Sequence, residues 1–408
     1  MDHLSKSAKS IKPCIVWHSI LSLEKATKGD TSQIIGMTTA LAAQGVDASL
    51  VALNTGEKKI DGAKVIQVSN GRYVCLRNRA LSKILRRLYG TLFNYDRERN
   101  ARHIARFVTH VLDPVEQYDL YHVRNPHLAI ELKKLQPDKP LVYTAISLHF
   151  HTGFPKDKVL DQEALNAADN ILTLTEGWKQ YITDTFDLQG REISVVPVCA
   201  TNANNVQGTD CLPEHIFKNR KVIGYFGLLQ KIRGVDTLIK TIPAVKKAVG
   251  NVSVIIAGMS FQNHEEELKA LARDLGVYED IYFVGKIPYS MIPQYLKKCN
   301  VLVDLKSGEA HHRRSWHLSV PIKCVEYMVN GKPTVITRDG GTENLLGKNH
   351  PYLVEPGDKE QITRKLIKLL TDDEEAVRIG MLNKRISMDY TYEAVANKLI
   401  NIYSQTRV

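Results

Sequence analysis

The sequence predicts an α/β protein built from two doubly wound units that face each other across a cleft. Short apolar runs rich in β-branched residues alternate with longer helical patterns along the chain. Most of these runs are continuously apolar, which is typical of parallel strands buried on both faces of a sheet. A polar interruption at residues 199–219 separates one alternating series from a second. A chain of 408 residues is long enough for two domains with separate cores.

The first series occupies residues 1–198, the predicted N-terminal domain. Its predicted strands are 14–17, 48–53, 64–68, 119–123, 141–144, 170–174 and 193–198. A helix is expected from Gln33 to Gln44, because apolar residues recur there at helical spacing and Gly45 follows as a stop signal.

The interruption at 199–219 is expected to be a linker, since it is polar and contains Gly208 and Pro213. Residues 220–385 form the predicted C-terminal domain. Its strands are predicted at 222–226, 252–257, 281–284, 301–305 and 333–337, and its helices at 235–249, 265–275, 291–298 and 321–330. Residues 386–408 are expected to supply a last helix, because 392–403 carries a continuous apolar stripe.

Composition indicates an ordinary globular protein, with 43% hydrophobic and 24% charged residues. The chain starts without an apolar stretch of signal-peptide length, and no run approaches the roughly 18 apolar residues of a spanning helix. We therefore expect a cytoplasmic location. The six cysteines include no CxxC pair, so no zinc or redox site is expected. Cys14, Cys299 and Cys324 lie in or beside apolar runs and are predicted to be buried thiols.

The net charge of +11 is concentrated in residues 72–106, which carry ten basic and two acidic side chains. Apolar residues at helical spacing between positions 81 and 92 alternate with cations. This pattern fits a helix on an anionic membrane surface, which would place the protein peripherally on an inner membrane face. It equally fits a helix packed on its own domain with a solvated basic face. Nucleic acid is not expected as a partner, because neither an aromatic stacking platform nor a recognition helix is evident.

The first of three loops that can hold an anion is 227–234, directly after strand 222–226. Gly227 and Gly234 allow close backbone approach, and Lys231 or Arg233 supplies positive charge. An ordinary turn with solvated cations is the alternative.

The second candidate is the helix predicted from Pro321, a residue suited to the first helical position. Its N-terminal amides favour an anion, and Lys323 adds charge at the same end. Glu326, one turn later, can accept hydrogen bonds from vicinal hydroxyls such as those of a ribose. A surface Lys–Glu pair is the alternative.

The third loop, 338–343, contains Gly340 and Gly341, which permit close backbone approach; a plain turn is equally consistent with it. The cationic loop 309–317 includes three histidines, but no carboxylate or cysteine completes a familiar metal pattern with them. This loop is expected to be a solvated flap or to contact an acidic sugar.

Together, these segments resemble the retaining glycosyltransferases of the GT-B fold known as the GT4 family. The C-terminal segments YFGLLQKIRGVDTL, VIIAG, YFVGKIP and PIKCVEYMVNGKP carry the strongest resemblance, and LYHVRNPH and ALNAADNILTLTEGWKQY extend it to the first half. The resemblance implies two Rossmann-like domains facing a cleft. It also implies that the last helix crosses back onto the N-terminal domain.

The resemblance further implies roles for individual residues. Glu326 matches the second glutamate of an E-x7-E motif that holds the donor ribose, and Arg233 falls where the family has a diphosphate-binding lysine. Lys323 would lie near the same phosphates, so Arg233, Lys323 and Glu326 are the predicted catalytic group. The wider predicted donor site comprises Gly227, Lys231, Gly234, Ile287, Pro321, Ile322, Gly340 and Gly341.

Three positions depart from the family pattern. Leu318 occupies the position of the first glutamate of the motif, and Leu228 that of a usual arginine. Ile146 falls at the position of the family's N-terminal histidine. The candidates for the acceptor side are His18, Gly29, Arg124, His149 and His151.

The predicted activity is hexosyl transfer from a UDP- or GDP-sugar to a glycan or lipid-linked acceptor, with retention, in polysaccharide or glycoconjugate biosynthesis. Fixed cations and helix amides would replace a metal ion, so no cofactor is expected. The alternatives are a non-catalytic sugar-nucleotide-binding protein, which Leu318 and the missing histidine favour, and an epimerase of the same fold, which needs acid and base carboxylates in the cleft.

Overall fold

The computed structural model describes residues 11–20, 29–53, 59–60, 63–68, 90–146, 148, 156–200, 213–260, 263–288, 291–308 and 318–406. Within them, two mainly parallel sheets are each combined with helices, which confirms the predicted α/β fold class.

The N-terminal sheet has eight described strands in the order β3-β4-β2-β1-β5-β6-β7-β8, and only the β3–β4 pair is antiparallel. The strands are β1 Pro13–Ile20, β2 Ser49–Leu53, β3 Lys59–Ile60, β4 Ala63–Val68, β5 Leu120–Val123, β6 Leu141–Ala145, β7 Asn170–Thr173 and β8 Ile193–Val195. All seven predicted strands are present. The unpredicted β3 has only two residues, too few for a recognisable apolar run.

The described helices of this half are α1 Gly29–Ala43, α2 Gly90–Phe107, α3 Asp113–Glu116, α4 Pro126–Leu135, α5 Lys156–Ala167 and α6 Glu176–Thr185. A π-helical segment, Val108–Leu112, joins α2 to α3. The helix expected from Gln33 begins four residues earlier, because its first turn, Gly-Asp-Thr-Ser, is polar and gives no apolar periodicity.

The basic window at 72–106 is described only from residue 90 onward, so the apolar positions 81–88 lie outside the described residues. On α2, Arg99, Arg102 and Arg106 are exposed, and Arg102 forms an ion pair with Glu98. None of the helices that the structure describes is both long enough and apolar enough to cross a membrane.

The C-terminal sheet is parallel, with the order β11-β10-β9-β12-β13-β14. Its strands are β9 Lys221–Phe226, β10 Val252–Ala257, β11 Ile281–Gly285, β12 Val301–Asp304, β13 Thr334–Thr337 and β14 Leu353–Val354. The strand order reverses between β9 and β12, and between β1 and β5 in the other sheet. Ligands of such sheets bind beyond the carboxyl ends of the strands at this reversal.

The described helices of the second half are α7 Val235–Val249, α8 His264–Asp274, α9 Ile292–Lys298, α10 Ile322–Val329, α11 Gly340–Leu346, α12 Lys359–Thr371, α13 Asp373–Ile386 and α14 Tyr392–Thr406. Each predicted helix is found, with ends shifted by a few residues. The predicted thiols Cys14, Cys299 and Cys324 are buried, as is Cys199.

The last helix, α14, packs against elements of the N-terminal half. Its apolar stripe, including Leu399 and Tyr403, shares a core with Ile34 of α1 and Leu50 of β2. The Tyr403 hydroxyl lies 2.6 Å from His122 Nδ1.

His122 occupies a fully enclosed position in β5. Its Nε2 atom lies 2.7 Å from the Thr144 hydroxyl. Burial, assisted by the charge of Arg124, lowers the pKa of His122 to about 3, so the ring stays neutral at physiological pH. The neutral ring joins β5, β6 and α14 through two hydrogen bonds.

Gly36 on α1 lies directly against Tyr392 of α14. A Cβ atom at Gly36 would overlap the Tyr392 ring. The Tyr392 hydroxyl also accepts a hydrogen bond of 3.4 Å from the Gln33 amide.

We expect Gly36→Ala to destabilise the protein by roughly 1–3 kcal/mol, because the added methyl group displaces α14. Helix propensity alone would give the opposite sign, a gain of about 1 kcal/mol. Chemical denaturation measures the difference, with Gly36→Ala in a Tyr392→Ala background as the control in which the methyl group has space. A Gly36→Ala protein as stable as the wild type would contradict the contact.

Candidate functional site

Three neighbouring strands of the C-terminal sheet end in glycine loops that touch one another. The Gly227 amide after β9 donates to Ala257 O at 2.9 Å, and the Gly258 amide after β10 donates to Gly285 O at 2.8 Å. A Cβ atom at Gly258 would overlap the Gly227 carbonyl group. The backbones therefore lie closer together than any larger residue at position 258 allows.

The loop after β9 folds back against the end of β12. Its short turn, Lys231–Arg233, ends at Gly234, whose φ of 63° is left-handed. A Cβ atom at Gly234 would lie 3.0 Å from the Lys306 amide nitrogen. The Ser307 amide donates to Ile232 O at 3.2 Å. The loop thus crosses the point where the strand order reverses.

The two cations of this turn have different surroundings. Lys231 is 73% exposed at its side chain, and its Nζ atom lies 3.5 Å from Glu267 Oε2. Arg233 is partly buried, and its positive charge acts to lower the pKa of Lys306 and Lys323. Of the two, Arg233 is therefore the one beside the buried lysines.

A buried ion cluster, formed by Asp304, Lys306, Lys323 and Asp339, lies at the ends of β12 and β13. Lys323 Nζ is 2.5 Å from Asp304 Oδ1, with the two side chains 12% and 1% exposed. Lys306 forms an ion pair with Asp339, and both of those side chains are 5% exposed. The alternative of a surface Lys323–Glu326 pair is wrong, because Lys323 turns inward to Asp304 and Glu326 is itself buried.

The protonation of this cluster follows from its charges. Burial acts to raise the pKa of Asp304, but Lys323 and Lys306 outweigh it and hold that pKa below its usual value. Burial acts to lower the pKa of Lys323, but Asp304 outweighs it and the pKa is raised. The pKa of Lys306 is lowered, since burial prevails there. The Asp304–Lys323 pair is therefore fully ionised at neutral pH.

Lys323 extends from the first turn of α10 towards the loop after β9. Its Nζ atom lies 4.3 Å from the centroid of the Tyr225 ring. A Cβ atom at Gly227 would lie 3.3 Å from the same Nζ atom. The ammonium group thus faces the loop predicted from sequence to hold an anion.

Helix α10 begins at Ile322, one residue later than expected, because Pro321 is extended and serves as the N-cap residue. Cys324 and Tyr327 tie the helix to neighbouring strands: Cys324 Sγ donates to Asp304 Oδ2 at 3.0 Å, and the Tyr327 hydroxyl accepts from the Phe226 amide at 3.1 Å. Glu326 is buried one turn after Lys323. The helix is therefore fixed against β9 and β12.

Helix α11 begins at Gly340, with Asp339 as its N-cap. Asp339 Oδ1 accepts from the Thr342 amide at 2.8 Å. A Cβ atom at Gly341 would overlap the Ser319 carbonyl oxygen. Gly341 thus lies against the segment that leads into α10.

Leu318 contacts the N-terminal half. Its side chain packs on that core, and its carbonyl oxygen accepts a 2.6 Å hydrogen bond from the Thr175 hydroxyl. The Trp178 indole N–H donates to Ser319 Oγ at 3.1 Å. Thr175 and Trp178 were not predicted as site residues. The only signal for them in the sequence is that both lie in the segment ALNAADNILTLTEGWKQY, which resembles the family. Position 318 therefore joins the two halves.

The remaining predicted residues are less completely described. Arg124 directly follows β5, at the strand-order reversal of the N-terminal sheet, and is partly exposed. Gly29 is the first residue of α1, and His18 lies in β1, although its side chain is outside the described part. Ile287 is partly buried and packs against the cluster that contains Phe226.

Two acceptor-side candidates, His149 and His151, lie outside the described residues, as do the loop 309–317 and most of the linker. Among the residues that are described, no three His, Cys, Asp or Glu side chains come together as a metal-binding group.

Residues 213–385 match the family model described as "Glycosyl transferases group 1". The chain is 24% identical over 260 residues to the D-inositol 3-phosphate glycosyltransferase of Corynebacterium jeikeium, covering 61% of this chain and 60% of that protein. It is 23% identical over 401 residues to the enzyme of the same name from Corynebacterium glutamicum, covering 91% and 90%.

Solved structures extend the likeness to the whole fold. HepE from Anabaena, determined with UDP and glucose, superposes with a TM-score of 0.67 at 16% identity over 97% of this chain and all of that one. The C-terminal match covers the glycine loops and the buried ion cluster. The chain therefore has the GT-B fold, and its residues 213–385 resemble the glycosyl transferases group 1 family.

Proposed function

We propose that the protein transfers a hexose from a UDP- or GDP-sugar to a glycan or lipid-linked acceptor, with retention at the anomeric carbon. The observation that carries this proposal is the Lys323 ammonium group, directed at the glycine loop after β9 where the strand order reverses. A diphosphate at this point would meet Lys323, Arg233 and the first amides of α10.

The reaction breaks the bond between the anomeric carbon and the diphosphate oxygen and forms one to the acceptor oxygen. Negative charge grows on the diphosphate as that bond breaks. Fixed cations placed before the reaction stabilise this charge without reorganisation, and here they take the place of a metal ion. The leaving diphosphate oxygen accepts the proton of the acceptor hydroxyl. Glu326, buried one turn from Lys323, is assigned to the donor ribose.

The acceptor enters from the N-terminal half, where Arg124 follows β5 at the strand-order reversal. The two corynebacterial relatives are both named D-inositol 3-phosphate glycosyltransferase. A phosphorylated cyclic polyol is therefore included among the acceptors to be assayed.

Arg233→Ala and Lys323→Ala should each lower kcat/KM for the sugar nucleotide by about 10²–10³, the usual effect of removing one group that stabilises developing charge. Transfer and donor hydrolysis are measured against UDP-, GDP- and ADP-sugars, with thermal unfolding to verify that each variant folds. Lys240→Ala is the control, since Lys240 lies on α7 and pairs with Asp236 outside the site. Binding without transfer or hydrolysis by the wild type would favour the non-catalytic alternative.

We further propose that the basic window at 72–106 brings the enzyme to an anionic membrane surface on the cytoplasmic side. The exposed Arg99, Arg102 and Arg106 on α2 support this.

Liposome flotation should show binding to vesicles with acidic lipid at low salt and weaker binding at high salt. An Arg99→Gln/Arg106→Gln variant should bind less. Equal flotation with neutral and acidic vesicles, or none, would contradict the proposal.

A further inference from the structure

We propose that Asp304 is a positioning residue for transfer, because it holds the Lys323 ammonium group at the place where the diphosphate of the donor binds. This inference rests on the proposed function and deepens it. Asp304 is the last residue of β12, beside the strand-order reversal, and it would not touch the donor itself.

The two carboxylate oxygens of Asp304 contact two consecutive residues of α10. Oδ1 lies 2.5 Å from Lys323 Nζ, and Oδ2 accepts from Cys324 Sγ at 3.0 Å. The carboxylate therefore orients the first turn of α10 as well as the lysine side chain. Because its side chain is only 1% exposed, water does not compete for these contacts.

The other side of Lys323 is also defined. Its ammonium group lies 4.3 Å from the Tyr225 ring centroid, within cation–π range. The Tyr225 hydroxyl donates to Leu228 O at 2.8 Å, which fixes the ring against the loop. An unrestrained lysine side chain samples many rotamers. Holding the side chain between carboxylate and ring removes this freedom before the donor arrives.

Asp304 also keeps Lys323 charged. The charged or titratable groups that act on Lys323 are Asp304, Tyr225, Arg233 and, through the shared cluster, Lys306. Burial and the positive charges of Arg233 and Lys306 all act to lower the pKa of Lys323. Asp304 opposes them, together with Tyr225. Cys324 and Tyr327 face the carboxylate itself.

The pH range over which Lys323 keeps its charge depends on Asp304. With Asp304 present, the pKa of Lys323 is raised, so the ammonium group persists into alkaline solution. With a neutral residue at 304, the pKa of Lys323 falls, and its charge is lost as pH rises through that lowered value. Diphosphate binding should then weaken at alkaline pH in the variant and not in the wild type.

The test measures UDP and GDP binding by calorimetry at pH 7.5 and pH 9, both above the second pKa of a phosphate group, about 6. The proteins are wild type, Asp304→Asn, Lys323→Met and the double variant. We expect Asp304→Asn to weaken binding severalfold more at pH 9 than at pH 7.5, because the pKa of Lys323 falls when its carboxylate partner is lost. In the Lys323→Met background, Asp304→Asn should add no further loss.

Two further variants distinguish a positioning role of Asp304 from a purely structural one. Asp280→Asn is the matched control, because Asp280 is a buried carboxylate of the same domain, paired with Arg220 and Lys246 at the opposite ends of the strands. It should change stability but not the pH dependence of binding. Asp304→Glu retains the charge but displaces it, so it should bind the diphosphate more weakly than wild type at both pH values without the alkaline loss.

Equal binding by Asp304→Asn and wild type at both pH values would overturn the inference. So would a loss that is independent of pH and persists in the Lys323→Met background, or an Asp304→Glu variant that binds as tightly as wild type. Absence of UDP, GDP and ADP binding by the wild-type protein would instead remove the proposed function, and this inference with it.

Discussion

The ion pair between Lys323 and Asp304 links β12 to α10, whose Lys323 faces the glycine loop after β9. Neither charge is stable alone at this depth, because an uncompensated buried charge typically costs about 3–5 kcal/mol. As a pair they orient each other, and the Cys324 thiol completes the contacts of the carboxylate. The position of Lys323 beside Gly227 is therefore a consequence of where β12 ends.

The same edge of the sheet explains the neighbouring features. The strand order reverses between β9 and β12, and the loops of parallel sheets diverge at such a reversal to form a ligand-binding crevice. Gly258 and Gly234 allow the backbone to close in around that crevice, and Lys306 with Asp339 extends the buried charges towards α11. An anion entering here meets positive charge that is already fixed.

The segment before α10 also connects this edge to the N-terminal half. Leu318 and Ser319 accept hydrogen bonds from Thr175 and Trp178, while α14 returns to pack on α1. Leu318, which takes the place of the first glutamate in the motif that the sequence resembles, makes an apolar contact between the two halves. A substitution at Leu318 or Ser319 would therefore alter contacts in both halves.

Sequence patterns predicted most of the fold, because strands buried on both faces are continuously apolar and the α7 and α10 helices carry clear start and stop residues. They also identified Lys323 and Glu326 as neighbours on one helix. They did not reveal Asp304 as the partner of Lys323, because it ends an apolar run 19 positions earlier in the chain, and only the parallel sheet brings the two together. Thr175 and Trp178 were also missed, because contacts between the two halves leave no periodic pattern in the sequence.

The most direct measurement is a crystal structure of the protein with bound UDP or GDP. The account predicts that the β-phosphate lies within about 3 Å of Lys323 Nζ, with the Asp304–Lys323 pair intact behind it and the ribose near Glu326. A nucleotide bound elsewhere, or a phosphate that contacts neither Lys323 nor Arg233, would contradict it.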